Sequence, residues 1–244
     1  TLLHYGWTQD NTDYSWINSN CKWVLNVADN NEEENTHTGG KNGLCSAGIG
    51  YGAWLLKGAT QDGWFTTWQE TLENACVAGC SNICQEVYTQ KLGQAFRVAS
   101  GQGGTTEDGD KESRDYIESP YSKRSYIDYQ DNIYSIKNSL YGTRDVTATT
   151  AVTNSMMNIM KKYNYSGYND INTALNEAIA ALETAKNSSS FVADIAAIEK
   201  AYKNGTINSE VAYTRVKTCI DKINNLDEEL NKAGAWFRKI RASK

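Results

Sequence analysis

The chain has 244 residues, of which 24 are basic and 29 acidic for a net charge of −5, with 40% hydrophobic residues and one proline. That length can bury one large core or two small ones, and the well-mixed charge offers no basic stripe for a phosphate backbone, which excludes nucleic acid as an expected partner. No apolar run approaches the ~20 residues that a bilayer-crossing helix needs, and no charged-then-apolar signal segment is present.

A single proline, Pro120, leaves long stretches free to be helical, because proline removes a backbone donor and clashes inside a helix. The two halves differ in texture: fifteen of nineteen glycines precede residue 110 and six of seven tryptophans precede residue 69. In chain order, Trp16, Ile17, Cys21, Val24 and Leu25 suggest a short helix over 12–29. A polar and then glycine-rich run follows, NNEEENTHTGGKNGLCSAGIGYG, and reads as loop. Trp64, Phe65, Trp68, Leu72, Cys76, Cys80, Ile83, Val87 and Phe96 then predict a long helix over 62–98. Within it Cys76, Cys80 and Cys84 recur every four residues, so they share one face. Metal binding would need a fourth ligand and closer pairing, so core-facing packing is the expectation for these three and for Cys219. Six cysteines are too few for a disulfide scaffold, though they suffice for one or two bridges.

A second loop, SGQGGTTEDGDKES, spans 100–113 and is the best boundary, giving a partial first helical bundle with glycine-rich loops over 1–110 and a second bundle over 111–244. Beyond it, Pro120 should push Ser119 toward extended geometry, with Ser122 or Ser125 capping the helix that follows. Tyr126, Tyr129, Ile133, Ile136 and Leu140 step by three and four to form that helix's inner stripe, with Asp128 and Asp131 in its first turns near the positive end of the dipole. Tyrosine hydroxyls are expected at the edge of the core. The segment 148–163 predicts a weaker helix, its threonines being stiff at χ1. Ile171, Leu175, Ile179 and Leu182 predict another after Asn169-Asp170, and Ser190 caps a third carrying Phe191, Val192, Ile195, Ile198 and Tyr202 to a stop at Asn204-Gly205. From Glu210 onward Val216, Cys219, Ile223, Leu226, Leu230, Ala233, Phe237 and Ile240 share one stripe, and Arg238, Lys239, Arg241 and Lys244 place cations at the negative end of a helix expected to run to the last residue. The fold class is therefore all-α, an up-and-down arrangement of helical bundles with a glycine-rich loop region in the first half.

Several chemistries find no motif. GIGYG fits neither phosphate-cradling pattern and no strand precedes it. Leu44-Cys45-Ser46-Ala47-Gly48 lacks the first glycine of a nucleophile elbow. His4 and His37 are the only histidines and form no H-E-x-x-H pair. His37 lies near Glu32, Glu33 and Glu34, a run that reads as a solvated acidic loop before it reads as a cation site.

One segment exceeds ordinary helix logic. Glu118-Ser119-Pro120-Tyr121-Ser122, then Ser125, Asp128, Gln130-Asp131-Asn132-Ile133, Ser135-Ile136 and Asn138, closing at Leu140-Tyr141-Gly142, resembles the second signature region of imelysin-like proteins. The resemblance implies a fold of two helical bundles with a site at their junction, in a secreted or lipid-anchored bacterial envelope protein tied to iron uptake; a membrane tether would come from a removed N-terminal segment ahead of Thr1. It carries Glu118, Ser119, Tyr121, Ser122, Ser125 and Asp128 as ligand-binding residues and Glu118 and Asp128 as metal ligands, with a divalent cation or iron as cofactor and a metal ion, an iron carrier or a peptide as partner. The family's other signature, G-x-H-x-x-E, which supplies its proposed catalytic or metal-binding histidine and glutamate, does not occur in this sequence, and Arg124 and Tyr134 depart from the family pattern. No catalytic residue is thereby assigned. A ligand- or metal-binding envelope protein is the leading reading, an imelysin-type metallopeptidase the second, and a surface adhesin meeting its partner through tryptophans and tyrosines the third.

Overall fold

Apolar side chains at helical spacing can leave water only by facing one another, and the computed structural model, which describes residues 67–106 and 108–240, is assembled from those faces. The predicted helix over 12–29, the glycine-rich loop and residues 241–244 lie outside the described residues. Among the described residues no strand forms, and one isolated bridge joins Thr105 to Lys111. Contacts divide the chain into two units, the first taking the described residues up to Ala75 with Phe237–Lys239 and the second Cys76–Trp236 with Ile240.

The predicted long helix is present from residue 68 but is widened twice. Helix α1 (Trp68–Thr71) passes through a π-helical turn at Leu72–Val77 into α2 (Ala78–Gln85), and a second π turn at Glu86–Lys91 leads to α3 (Gly93–Ala99). The reason for the second widening is legible in the spacing of buried residues. Val77, Cys80, Cys84 and Val87 step by three and four, but the next is Leu92, five residues on. A regular helix would swing Leu92 off the stripe; the wide turn, with Leu92 N–H bonded to Val87 O at 2.9 Å, absorbs the extra residue and keeps Leu92, Ala95, Phe96 and Ala99 facing inward.

Helix α4 (Ser125–Tyr141) carries the predicted stripe, with Tyr126, Tyr129, Ile133, Ile136 and Leu140 all buried. It stops at Gly142, whose φ of +71° lets its N–H reach Asn138 O at 2.9 Å; a Cβ there would also press Val152 Cγ2 at 2.7 Å. Helix α5 (Met156–Lys162) is shorter than the predicted 148–163. The threonine-rich stretch before it spends its donors elsewhere, Val152 N–H on Tyr141 O at 3.0 Å, and Ser155 then caps the helix, accepting from Asn158 N–H at 3.1 Å. Helix α6 (Tyr168–Ser188) buries Ile171, Ala174, Leu175, Ala178, Leu182 and Ala185 but leaves Ile179 half-buried. Helix α7 (Phe191–Lys203) starts at the predicted cap, Ser190 accepting from Ala193 N–H at 3.4 Å, and ends before Gly205 at φ +72°.

After a 3₁₀ turn at Ile207–Ser209 comes α8 (Val211–Phe237), whose stripe from Val216 through Ala233 is completely buried. It ends at Phe237, short of the expected last residue. Arg238, expected to complement the helix terminus, instead donates to Glu73 of the same unit. Tyr202, predicted for an inner stripe, is about half exposed and covers Gly101, where φ is +77° and a Cβ would collide with the ring.

The second unit's core centres on aromatic edges: Phe191 meets Tyr126 at 5.5 Å and Tyr129 at 5.7 Å, both close to perpendicular. Cys76, Cys80, Cys84 and Cys219 are free thiols; Cys80, Cys84 and Cys219 are buried, and burial pushes Cys80 and Cys219 up to about 12. The three buried thiols act as small hydrophobes, as the spacing predicted, while Cys76 is half-buried. Cys21 and Cys45 lie outside the described residues. No described helix is long and apolar enough to cross a membrane.

Candidate functional site

The segment ahead of α4 is a bend clamped at its base. Ser125, buried at the first turn, donates its hydroxyl to the carbonyl of Glu118. Ser119 donates to Asp128 at 2.5 Å, and Ser122 donates to the Ser119 carbonyl at 3.3 Å. Both serines predicted as caps are therefore used elsewhere: Arg124 occupies the cap position without a side-chain bond, and Ser125 closes the loop. Ser119 is not extended as Pro120 would favour; its φ is +53°, and Lys123 follows at +58°. Left-handed backbone is uncommon outside glycine, and here the bonds from Ser119 to Asp128 and from Ser122 to Ser119 hold it.

Lys91, on the second π turn, reaches Glu118 at 3.1 Å and Glu86 at 3.3 Å, while its backbone carbonyl accepts from the Tyr129 hydroxyl at 3.1 Å. Burial opposes the Lys91 charge, but the hydrogen bonds and charges of Glu118 and Glu86 outweigh it and hold the ammonium above its usual value. Of the six predicted residues, the structure pairs Ser119 with Asp128 and Ser125 with the backbone of Glu118. The Glu118 and Asp128 carboxylates have separate partners, Lys91 and Ser119. Tyr121 is 98% exposed and Ser122 faces water. Among the described residues no group of three or more His, Cys, Asp or Glu converges as a metal cluster. His4 and His37 lie outside the described residues.

Two polar networks escaped the sequence reading. Tyr126, expected to place its hydroxyl at the core's edge, is 2% exposed and donates to Asp194 at 2.7 Å; Arg215 donates to the other oxygen of Asp194 at 2.5 Å. Asp227, also buried, accepts from Ser81, from Asn231 at 3.0 Å, from Gln85 at 3.2 Å and from Tyr88 at 3.3 Å. The available signal was an aspartate lodged in an apolar stripe: Asp194 between Phe191 and Ile195, Asp227 between Leu226 and Leu230.

Helices α6 and α8 leave a groove of about 510 Å³ between them, lined by Glu177, Ala180, Ala181, Thr184 and Ser188 on one side and Val211, Thr214, Arg215, Thr218 and Lys222 on the other. Sequence periodicity could not show it, because each helix contributes only half of it.

An all-helical bundle with a clamped, serine-rich bend before its central helix defines the class. A family model described as Imelysin matches residues 51–230, and the chain belongs to the imelysin family. A solved structure described as an imelysin peptidase from Bacteroides ovatus shares the fold, with a TM-score of 0.58 at 21% identity over 82% of this chain and 47% of that one. The chain thus spans about half the length of that relative. No curated protein matches.

Proposed function

We propose that this chain is a ligand-binding module of the bacterial cell envelope, linked to iron uptake, and not an active peptidase. The observation that carries the reading is the bend at Glu118–Asp128. Two non-glycine residues are held in left-handed backbone around a solvent-exposed Tyr121, and backbone strain of about 1–3 kcal/mol per residue persists only where surrounding bonds over-determine it, most often at binding sites. The groups on offer are carboxylate, hydroxyl and carbonyl oxygens, which suit a hard cation or a cation-bearing carrier. General acid–base chemistry on a peptide bond is served less well by them, and the G-x-H-x-x-E signature does not occur in this sequence.

Calorimetric titration with ferrous, ferric, zinc and calcium ions tests the site, comparing wild type with Glu118→Ala and Asp128→Ala. The expected result is binding of at least one of these ions that both variants weaken about tenfold or more. Heat signals identical in all three proteins would remove the bend from the site. Cleavage of an unfolded peptide that a chelator stops would replace the binding module with the peptidase.

A further inference from the structure

The groove between α6 and α8 shares no residue with the bend and supports a separate inference. The two helices run antiparallel along it: Glu177, at the start of the lining stretch of α6, bonds Lys222, at the end of the lining stretch of α8, at 2.9 Å. Both lining stretches, 177–188 and 211–222, span about 16 Å at 1.5 Å per residue, so the ion pair closes one end and Val211, 67% exposed, stands toward the other. Three of the groove's four hydroxyls are engaged and do not face it as free donors. Thr184 donates to Ala180 O at 2.9 Å, Ser188 to Thr184 O at 2.7 Å and Thr218 to Thr214 O at 2.7 Å. Each bond is turned back on the residue's own helix, leaving methyl and methylene surface beside Ala180 and Ala181. The volume lies within the roughly 300–1,000 Å³ of ordinary ligand clefts.

Besides Lys222, whose charge Glu177 takes at the closed end, this apolar trough receives a second cation. Arg215 is largely buried, with 18% of its side chain exposed, and is oriented by Asp194, which takes one guanidinium nitrogen. Arginine has five N–H donors in a planar fork, and among the described residues only this one bond uses them. An oriented guanidinium with spare donors recognises a carboxylate, and the floor running about 10 Å from Arg215 to the Glu177–Lys222 pair recognises a short aliphatic chain. A through-running helix is disfavoured because that ion pair blocks its path.

We propose that this groove binds a medium-chain monocarboxylate, its head on Arg215 and its chain along Ala180, Ala181 and Thr218. The test titrates monomeric decanoate, decanol and acetate into the full chain by calorimetry. Decanoate should bind about tenfold or more tightly than decanol, the scale of one charge-assisted hydrogen bond, and acetate should give no heat. Ala181→Trp, which fills the trough without touching Asp194, should abolish decanoate binding while circular dichroism stays helical. Arg215→Gln, where it folds, should bring decanoate down to the level of decanol. Equal affinity for decanoate and decanol, or decanoate binding unchanged in Ala181→Trp, overturns the proposal. So does a dimer in solution that Ala181→Trp disperses, since a second copy would then cover the groove.

Discussion

Replacing Asp194 with alanine tests how the core of the second unit is held. Asp194 is 2% exposed and joins three helices, accepting from Tyr126 of α4 at 2.7 Å and from Arg215 of α8 at 2.5 Å while sitting on α7. Its removal leaves a largely buried guanidinium without its counter-charge, a loss of about 3–5 kcal/mol, and strands a buried phenol hydroxyl, which adds about 1–3 kcal/mol. Asp194→Asn keeps the shape and an acceptor for Tyr126 but loses the charge, so it should cost about 1.5–3 kcal/mol, the scale of a charge-assisted hydrogen bond. Urea unfolding followed by circular dichroism is the assay. With a slope of about 2–3 kcal/mol per molar, Asp194→Ala should lower the midpoint by about 1–4 M and Asp194→Asn by less. Tyr126→Phe combined with Asp194→Ala should cost clearly less than the sum of the two single changes, because both delete the same bond. A midpoint for Asp194→Ala within experimental error of wild type, or strict additivity with Tyr126→Phe, would refute the account of a mutually dependent triad.

Leu182→Ala, at a completely buried position of α6, should cost about 2–5 kcal/mol by the same urea assay. Ser155→Ala should cost about 1 kcal/mol by removing the cap of α5, with a neutral result indicating that the turn at 152–155 alone starts that helix. The Glu112 carboxyl is held below its usual value chiefly by its bonds to Arg97, which burial opposes and the Gly104 N–H reinforces. A carboxylate depressed in the folded state contributes stability above the ordinary carboxylate range near pH 4 and loses it as pH falls through the lowered value. Wild type should therefore lose more stability than Glu112→Gln between pH 6 and pH 3, measured by thermal melts, and parallel losses would contradict this. Gly142→Ala should lower the melting temperature, since alanine must adopt φ +71° and crowd Val152.

Periodicity and capping chemistry determined the helical class, the inward stripes of α4 and α8, those of α6 and α7 apart from Ile179 and Tyr202, the cap at Ser190 and the packing of Cys80, Cys84 and Cys219, because each depends on residues within a few turns of one another. It failed where a local preference met a distant partner. Pro120 favoured extended backbone at Ser119, but Asp128 nine residues on draws that serine into the left-handed region. Ser125 had the chemistry of a cap, yet the Glu118 carbonyl claims its hydroxyl. Arg238 had the position of a helix-end cation, yet Glu73, 165 residues away in sequence, takes it. The five-residue step from Val87 to Leu92 was present in the sequence, but only packing decided that the helix would widen to accommodate it.

The six residues of the bend were legible because they lie in one contiguous segment whose pattern resembles a family signature. The Asp194 network and the groove were not, because their parts come from helices whose register against one another is set by the whole core. A sequence fixes which face of each helix must leave water, whereas which polar groups then meet across those faces depends on how several helices settle together, and that is decided only by the tertiary structure.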